Sequence, residues 1–371
     1  MANPQNENVQ LLVGDTLLSH WSDLEIKLST DSFDTVSFAA PFDPSRKELR
    51  ELFQPFSFKP IKVLLNGDDL FTGTMIGVEP AFDANSGTVQ ISGYAQPAVL
   101  GDCTAPSGLG RKGRRSAIGA VPLTFNKATL RDIATQLCEP FGLKCEFRGP
   151  AGAPFEKVAI KLDEKIHSFL VGLAKQRGLV LTNNVDGSLL FWQSIKRGSP
   201  VVQFVEGVTP LTGVQATFSP QEYYSEITGY AATKRRKGGS VSTYINPWLG
   251  SGIDDGSGPI NQHRPISCKF DDTERADAPA ATKTKVGRMF ANMAAWVTDA
   301  LPTWRDPQGK LWDPNTSINI LAPSAMIYRD TELLIRDVVF KCNKDVLSAT
   351  LGLVLPGAFS GEIPDNLPWI E

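Results

Sequence analysis

Three histidines, five cysteines and one acidic cluster are the residues of this 371-residue chain whose chemistry could support catalysis or metal binding. Their spacing argues against both. His20, His167 and His263 fall in different stretches of the chain with no H-E-x-x-H or comparable ligand pair, so each reads as a structural histidine. Cys103, Cys138, Cys145, Cys268 and Cys342 are odd in number and scattered, with no C-x-x-C, which fits thiols of a protein folded in a reducing cytoplasm rather than a zinc site or a disulfide framework. Asp271, Asp272, Glu274 and Asp277 lack the central glycine and terminal glutamate of a calcium loop; lying just ahead of an amphipathic stretch, they suit the positive end of a helix dipole. There is no G-x-S-x-G elbow and no P-loop, and Gly108-Leu109-Gly110 has neither a third glycine nor a helix after it. A pair of glycosidase carboxylates is defined in space, and nothing in the sequence recommends one. No catalytic residue, cofactor or metal is therefore expected, and the chain is not expected to be an enzyme.

Phosphate contact has two candidate sources, the basic runs Arg111-Lys112-Gly113-Arg114-Arg115 and Lys234-Arg235-Arg236-Lys237. Both sit in polar, Gly-rich stretches without interleaved aromatics, so a solvated loop explains them better than a nucleic-acid site. With 37 Lys+Arg against 40 Asp+Glu the formal charge is -3, which gives no global field toward nucleic acid or an anionic membrane. The first residues carry no basic and then apolar signal pattern, and no apolar run approaches bilayer length.

The framework that would position any site is mainly β with an α+β insert. Residues 1–105 alternate: Leu24, Ile26 and Leu28, then Val36, Phe38 and Ala40, then Ile61, Val63 and Leu65, then Val89 and Ile91, with a hairpin signal at Asn66-Gly67. Residues 106–122 read as a linker. Within 123–198, Thr129 caps a helix carrying Leu130, Ile133, Ala134 and Leu137 up to Pro140 and Gly142. A second helix carries Ile166, Phe169, Leu170 and Leu173 up to Gly178, and strands at 179–182 and 189–192 flank Asp186-Gly187. Residues 199–355 return to β, with a long polar loop over 234–265, a helix near 279–297 bearing Val286, Met289, Phe290, Met293 and Val297, and a closing strand pair at 333–342 and 346–355. The tail, 356–371, is apolar and proline-rich and is expected to dock on a partner, with Phe359, Pro368, Trp369 and Ile370 as the contacting residues.

Several segments resemble one family in order. They are Leu70-Phe71-Thr72-Gly73, Val89-Gln90-Ile91-Ser92-Gly93-Tyr94-Ala95, Leu100-Gly101-Asp102-Cys103-Thr104-Ala105-Pro106, Thr129-Leu130-Arg131-Asp132-Ile133-Ala134 with Pro140-Phe141-Gly142-Leu143, Ala174-Lys175-Gln176-Arg177-Gly178-Leu179-Val180-Leu181-Thr182, His263-Arg264-Pro265-Ile266, Trp304-Arg305-Asp306-Pro307-Gln308-Gly309-Lys310-Leu311-Trp312-Asp313-Pro314-Asn315, Leu333-Leu334-Ile335-Arg336-Asp337-Val338 and Leu355-Pro356-Gly357-Ala358-Phe359. Together they look like the Mu-like tail protein P family, related by fold to the T4-type baseplate hub and to the hub half of type VI secretion spike proteins.

The resemblance implies a structural hub of a contractile tail, located in the virion baseplate and made in the host cytoplasm. Each chain would supply two barrel-like tube domains, so that a homotrimer forms a pseudo-hexameric ring matching a sixfold tail tube to a threefold central spike. The implied partners are further copies of the chain, the spike, the tube and surrounding baseplate proteins, with DNA passing through unbound and no membrane insertion. Near-neutral charge fits a conduit whose lumen is not enriched in Lys and Arg. The same architecture would serve a tailocin or type VI-like particle. A tail-borne cell-wall hydrolase and a carbohydrate-binding adhesin, the latter encouraged only by seven tryptophans, are the readings of other classes.

Overall fold

Alternating apolar residues become the inward face of a long sheet. The computed structural model describes residues 7–83, 87–106, 121–194, 198–231, 240–247, 263–270, 278–343, 346–364 and 366–370. Leu24, Ile26, Val36, Phe38, Ile61, Val63, Val89 and Ile91 are all buried. The Asn66-Gly67 turn joins strands Pro60–Leu65 and Asp68–Phe82 with φ of 55° and 92° at its two residues, the left-handed pair that a tight hairpin needs.

The large sheet runs, in spatial order, Val214–Phe218, Ala294–Thr298, Val346–Val354, Ile327–Asn343, Ser22–Ser29, Thr35–Pro41, Gly87–Ala95, Asp68–Phe82, Pro60–Leu65, Val9–Val13 and Thr16–Leu17; Gln203–Val205 and Ser317–Ala322 join it off this path. Its middle is a long-range antiparallel pair, from Asp337 opposite Ser29 to Cys342 opposite Leu24. The two β regions expected at 1–105 and 199–355 are therefore hydrogen-bonded to one another and share one apolar core. Alternation along each strand does not disclose that joint, because it is silent on which strands pair.

The insert has its own core. In the helix Leu130–Cys138 the Thr129 hydroxyl accepts the Asp132 N–H at 3.2 Å, and the Asp132 carboxylate accepts the Thr129 N–H at 2.9 Å, a closed capping box that satisfies two otherwise unpaired donors. Helix Ile166–Gln176 is followed by Gly178 at φ 65°, and strands Val180–Asn183 and Leu189–Trp192 form the hairpin expected around Asp186-Gly187. Leu100 and Ala105 also lie in this core, so the segment leaving the first β region already belongs to the insert, ahead of the boundary expected at 123.

Two expectations in the last third are corrected. Inside the stretch read as loop over 234–265, Ser240–Ile245 is a strand, paired with Glu226–Ala231, which in turn pairs in parallel with Pro265–Phe270. Val241, Tyr244 and Ile245 give it β character that the glycines on either side conceal. The helix near 279–297 ends at Met293, and Ala294–Thr298 is a strand between Val214–Phe218 and Val346–Val354. Val297, placed on the helical stripe by spacing, belongs with Trp296 and Thr298 to an extended segment of aromatic and β-branched residues. The basic runs 111–115 and 234–237, the glycine-rich stretch 250–259 and the acidic cluster Asp271 to Asp277 lie outside the described residues.

The insert attaches to the sheet at the turn after Ser22–Ser29. Asn183 accepts the Asp34 N–H at 2.9 Å and donates to the Asp34 carboxylate at 2.8 Å, while the Ser29 N–H donates to the other carboxylate oxygen at 2.9 Å. The Thr182 hydroxyl donates to the Ser32 carbonyl at 2.6 Å, and Trp192 Nε1 donates to the Thr30 carbonyl at 3.2 Å. From the other side, Arg336 holds both oxygens of Asp31, at 3.1 and 3.3 Å. One short turn is thus clamped by all three parts of the chain.

Burial pushes the Asp34 carboxyl up to about 7, against the lowering effect of its hydrogen bonds to Asn183 and Ser29. The folded state then binds a proton that the unfolded chain, with a carboxyl near 3.9, releases in the same range. The Asp34 contribution is accordingly most favourable below about pH 4 and is lost as pH rises through about 7. His167, held low by burial and then by Lys175, acts in the opposite sense as pH falls. Thermal melts of wild type and Asp34→Asn between about pH 5 and pH 8 should therefore differ in slope, with the wild type losing more stability toward pH 8. Parallel profiles would refute the assignment.

Candidate assembly surface

A strand at the end of a sheet leaves every second backbone N–H and C=O without a partner. Among the described residues the main path of the large sheet ends at Val214–Phe218 on one side and at Val9–Val13 with Thr16–Leu17 on the other, and its side branch ends at Gln203–Val205. Val214–Phe218 is fully paired on its inner side. Ser219 N–H donates to the Met293 carbonyl at 2.7 Å, so by alternation the N–H groups of Gln215 and Thr217 point inward and those of Val214, Ala216 and Phe218 point outward.

A second candidate surface is the three-stranded sheet of Glu226–Ala231, Ser240–Ile245 and Pro265–Phe270. Helix Ala278–Met293 packs against it, Ile227 is fully buried, and Tyr244 and Ile266 pack at the margin of the main core. The opposite face carries Tyr230 beside Val241, Thr228 beside Thr243 and Glu226 beside Ile245. Tyr230, Val241 and Ile245 are exposed on either side of the Thr228–Thr243 pair, and among the described residues the two outer strands of this sheet have no further strand partner.

Three further exposed aromatics lie on the first β region. Phe56 and Phe58 flank Ser57 in the connection after helix Lys47–Leu52, and Phe82 ends the strand Asp68–Phe82; Phe56 is 89% and Phe82 92% exposed. Phe56 and Phe58 both have left-handed backbone, φ 59° and 49°, a conformation that costs a bulky residue about 1–3 kcal/mol. Strained backbone that turns a ring outward is a feature of contact loops rather than of a packed core.

The tail residues assigned to a partner are distributed unequally. Phe359 is buried against Leu334, Val354 and Ala358. Trp369 packs edge-on to Phe218 at 5.1 Å between ring centres and lies 6.2 Å from Trp296. Pro368 is buried and its carbonyl accepts the Tyr328 N–H at 3.1 Å, while Arg329 donates to the Leu367 carbonyl at 3.1 Å. Ile370, 40% exposed, faces outward, as does Ile363. The tail therefore docks on its own chain through most of the residues singled out, and it covers one face of the Val214–Phe218 edge strand.

His20 and His263 are exposed, and His167 lies against the Phe33 ring at 4.8 Å, so the structure brings no two histidines together. Among the described residues no group of three or more His, Cys, Asp or Glu is arranged to hold a metal, and no helix is long and apolar enough to cross a membrane. None of the five cysteines is in a disulfide. Sequence reasoning missed the exposed strip at Tyr230, Val241 and Ile245; its signal was the Val-x-Thr-x-Ile alternation in 241–245, hidden between polar stretches.

Residues 98–193 match the family model described as baseplate hub protein gp44-like, second domain, a span that begins where Leu100 enters the insert core. The baseplate hub protein gp44 of Escherichia phage Mu is 24% identical over 292 residues, covering 77% of this chain and 72% of that protein. The 43 kDa tail protein of prophage MuSo2 from Shewanella oneidensis superposes with a TM-score of 0.73 at 24% identity, covering 95% of this chain and 99% of its own. The tail protein from Neisseria meningitidis MC58 superposes with a TM-score of 0.74 at 17% identity, covering 96% and 98%. These two likenesses establish the shared fold. The chain carries a gp44-like baseplate hub domain over residues 98–193 and is a homologue of the phage Mu hub, a structural baseplate protein and not an enzyme.

Proposed function

We propose that the chain is the hub of a contractile phage-tail baseplate and works as a homotrimer that joins a sixfold tail tube to a threefold spike around the DNA passage. The observation that carries this reading is the single long sheet, whose main path among the described residues has unpaired outer strands at Val214–Phe218 and at Val9–Val13 with Thr16–Leu17. Two different edges on one molecule favour head-to-tail contact, in which the Val214–Phe218 edge of one copy meets the Val9–Val13 side of the next, and a head-to-tail contact either closes into a ring or grows into a filament. The two β regions within each chain are the natural candidates for paired, barrel-like tube domains, so that three chains present six similar units. Phe56, Phe58, Phe82 and the Tyr230 strip are then surfaces for neighbouring copies or for surrounding baseplate proteins. Near-neutral charge supports a lumen that lets DNA pass without holding it. Packaged DNA in purified particles would separate a phage from a genome-free tailocin or type VI-like particle built on the same plan.

In solution the full chain should have the mass of a trimer, alone or with its spike, when measured by light scattering. Ala216→Pro removes an outward-facing N–H from the edge strand and leaves the inner ladder in place, so it should yield a folded monomer by circular dichroism and light scattering. An unchanged trimer would rule out this edge as the contact.

The tail allows packing and partner contact to be told apart. Trp369→Ala should lower stability by about 2–3 kcal/mol, somewhat less than the roughly 3–5 kcal/mol of a fully buried aromatic. Ile370→Ser should leave stability unchanged and weaken spike binding in a pull-down with the purified spike. If spike binding is the same in both variants, the tail is a packing element only.

A further inference from the structure

Between the insert helix Ile166–Gln176 and the long helix Ala278–Met293 lies a recess of about 510 Å³. Four cations line it, Lys161 and Lys175 on one wall and Lys285 and Arg288 on the other, against one carboxylate, Glu164. Behind Arg288, Asp31 lies at 3.7 Å and also accepts from Arg336 at 3.1 and 3.3 Å, so two guanidinium groups share that one carboxylate. Among the described residues no carboxylate pairs with Lys175 or Lys285, and Lys285 instead sits 5.8 Å over the Tyr224 ring.

Desolvated like charges in one recess repel, and the repulsion shows in the groups themselves. Burial, then Arg288 and Lys285, push the Lys175 ammonium down to about 8, and burial likewise lowers Arg288. An anion in the recess would relieve this cost, and its chemistry is limited by the walls. A recess of this size falls within the roughly 300–1,000 Å³ of ligand-sized sites, which a lone phosphate would leave mostly empty. The Arg288 side chain is only 25% exposed, too recessed for the backbone of a DNA duplex lying on the surface. The floor, with Phe169, Leu173 and Ala281, suits the methylenes of a side chain that ends in a carboxylate.

We propose that this recess binds an acidic polypeptide segment whose carboxylates pair with Lys175, Lys285 and Arg288. The inference rests on the hub reading in one respect, that the segment is supplied by a second copy of this chain in the assembled hub.

Calorimetric titration of the full-length chain with a hexaglutamate peptide, a hexaglutamine peptide, inorganic phosphate and a short DNA duplex tests it. Hexaglutamate should bind and hexaglutamine should not. Lys285→Gln and Arg288→Gln should each weaken hexaglutamate binding by about tenfold or more, as expected for loss of a charge-assisted contact. Lys47→Gln, on an exposed helix of the first β region, should leave it unchanged. As an independent readout, the Lys175 ammonium followed by NMR should titrate higher with peptide bound, which does not depend on a substituted protein folding. Absence of hexaglutamate binding, binding indifferent to both recess substitutions, or tighter binding of phosphate or DNA would overturn the proposal.

The mass of the same samples separates the two readings. A trimer that ignores hexaglutamate rejects the recess and leaves the hub reading standing, whereas a permanent monomer that binds it does the reverse. The recess substitutions should weaken self-association together with peptide binding; self-association that they leave unchanged would overturn a second copy as the source.

Discussion

The fold depends on one backbone pairing, between the strand Ile327–Asn343 near the end of the chain and Ser22–Ser29 near its start. Val338, Phe340 and Cys342 are buried on one side of it, with Leu24 and Ile26 on the other. Trp304 reinforces the pair from above, with its ring 5.0 Å from that of Phe340 and its Nε1 donating to the Lys341 carbonyl at 3.0 Å. Without this pairing the two β regions would be separate sheets; with it they are one.

The same pairing fixes the turn that follows Ser29, and through that turn the insert. Asp31 faces Arg336 on the neighbouring strand, while Asp34 faces Asn183 of the insert. A buried carboxylate is costly, and this one is tolerated because backbone and amide donors surround it. Its geometry demands a particular partner, so it fixes the orientation of the insert more than it adds to stability. The seam between the insert helix and the long helix, with its unbalanced cations, is set by the same attachment.

Local signals made most elements legible. The Asn66-Gly67 and Asp186-Gly187 turns, the Thr129 cap, the Gly178 terminator and the alternation around Leu351 each state a conformation within a few residues. What they could not state was partnership across three hundred residues, which is why the two β regions were read apart. Val297 shows a further limit, since its helical spacing from Met293 was outweighed by pairing on both sides of Ala294–Thr298. Ser240–Ile245 was lost because its polar surroundings diluted a short pattern. For function, the family segments were readable, but Phe359 and Trp369 were not: an apolar residue that leaves solvent looks the same in sequence whether it covers its own chain or another. The cationic recess was invisible because Lys175 and Arg288 meet only after folding, though Lys285 and Arg288 three apart on one helix were a faint sign of a charged stripe.

The central pairing also sets when the molecule can exist during synthesis. Leu24 must wait for Cys342, so the emerging polypeptide carries an unfinished sheet until residue 342 has left the ribosome, and the pairing closes a loop of high contact order. The insert, whose contacts are local, is able to form first and shield part of the waiting surface. A translation product cut short before residue 327 lacks the strand that unites the halves, so a truncated copy cannot close the sheet.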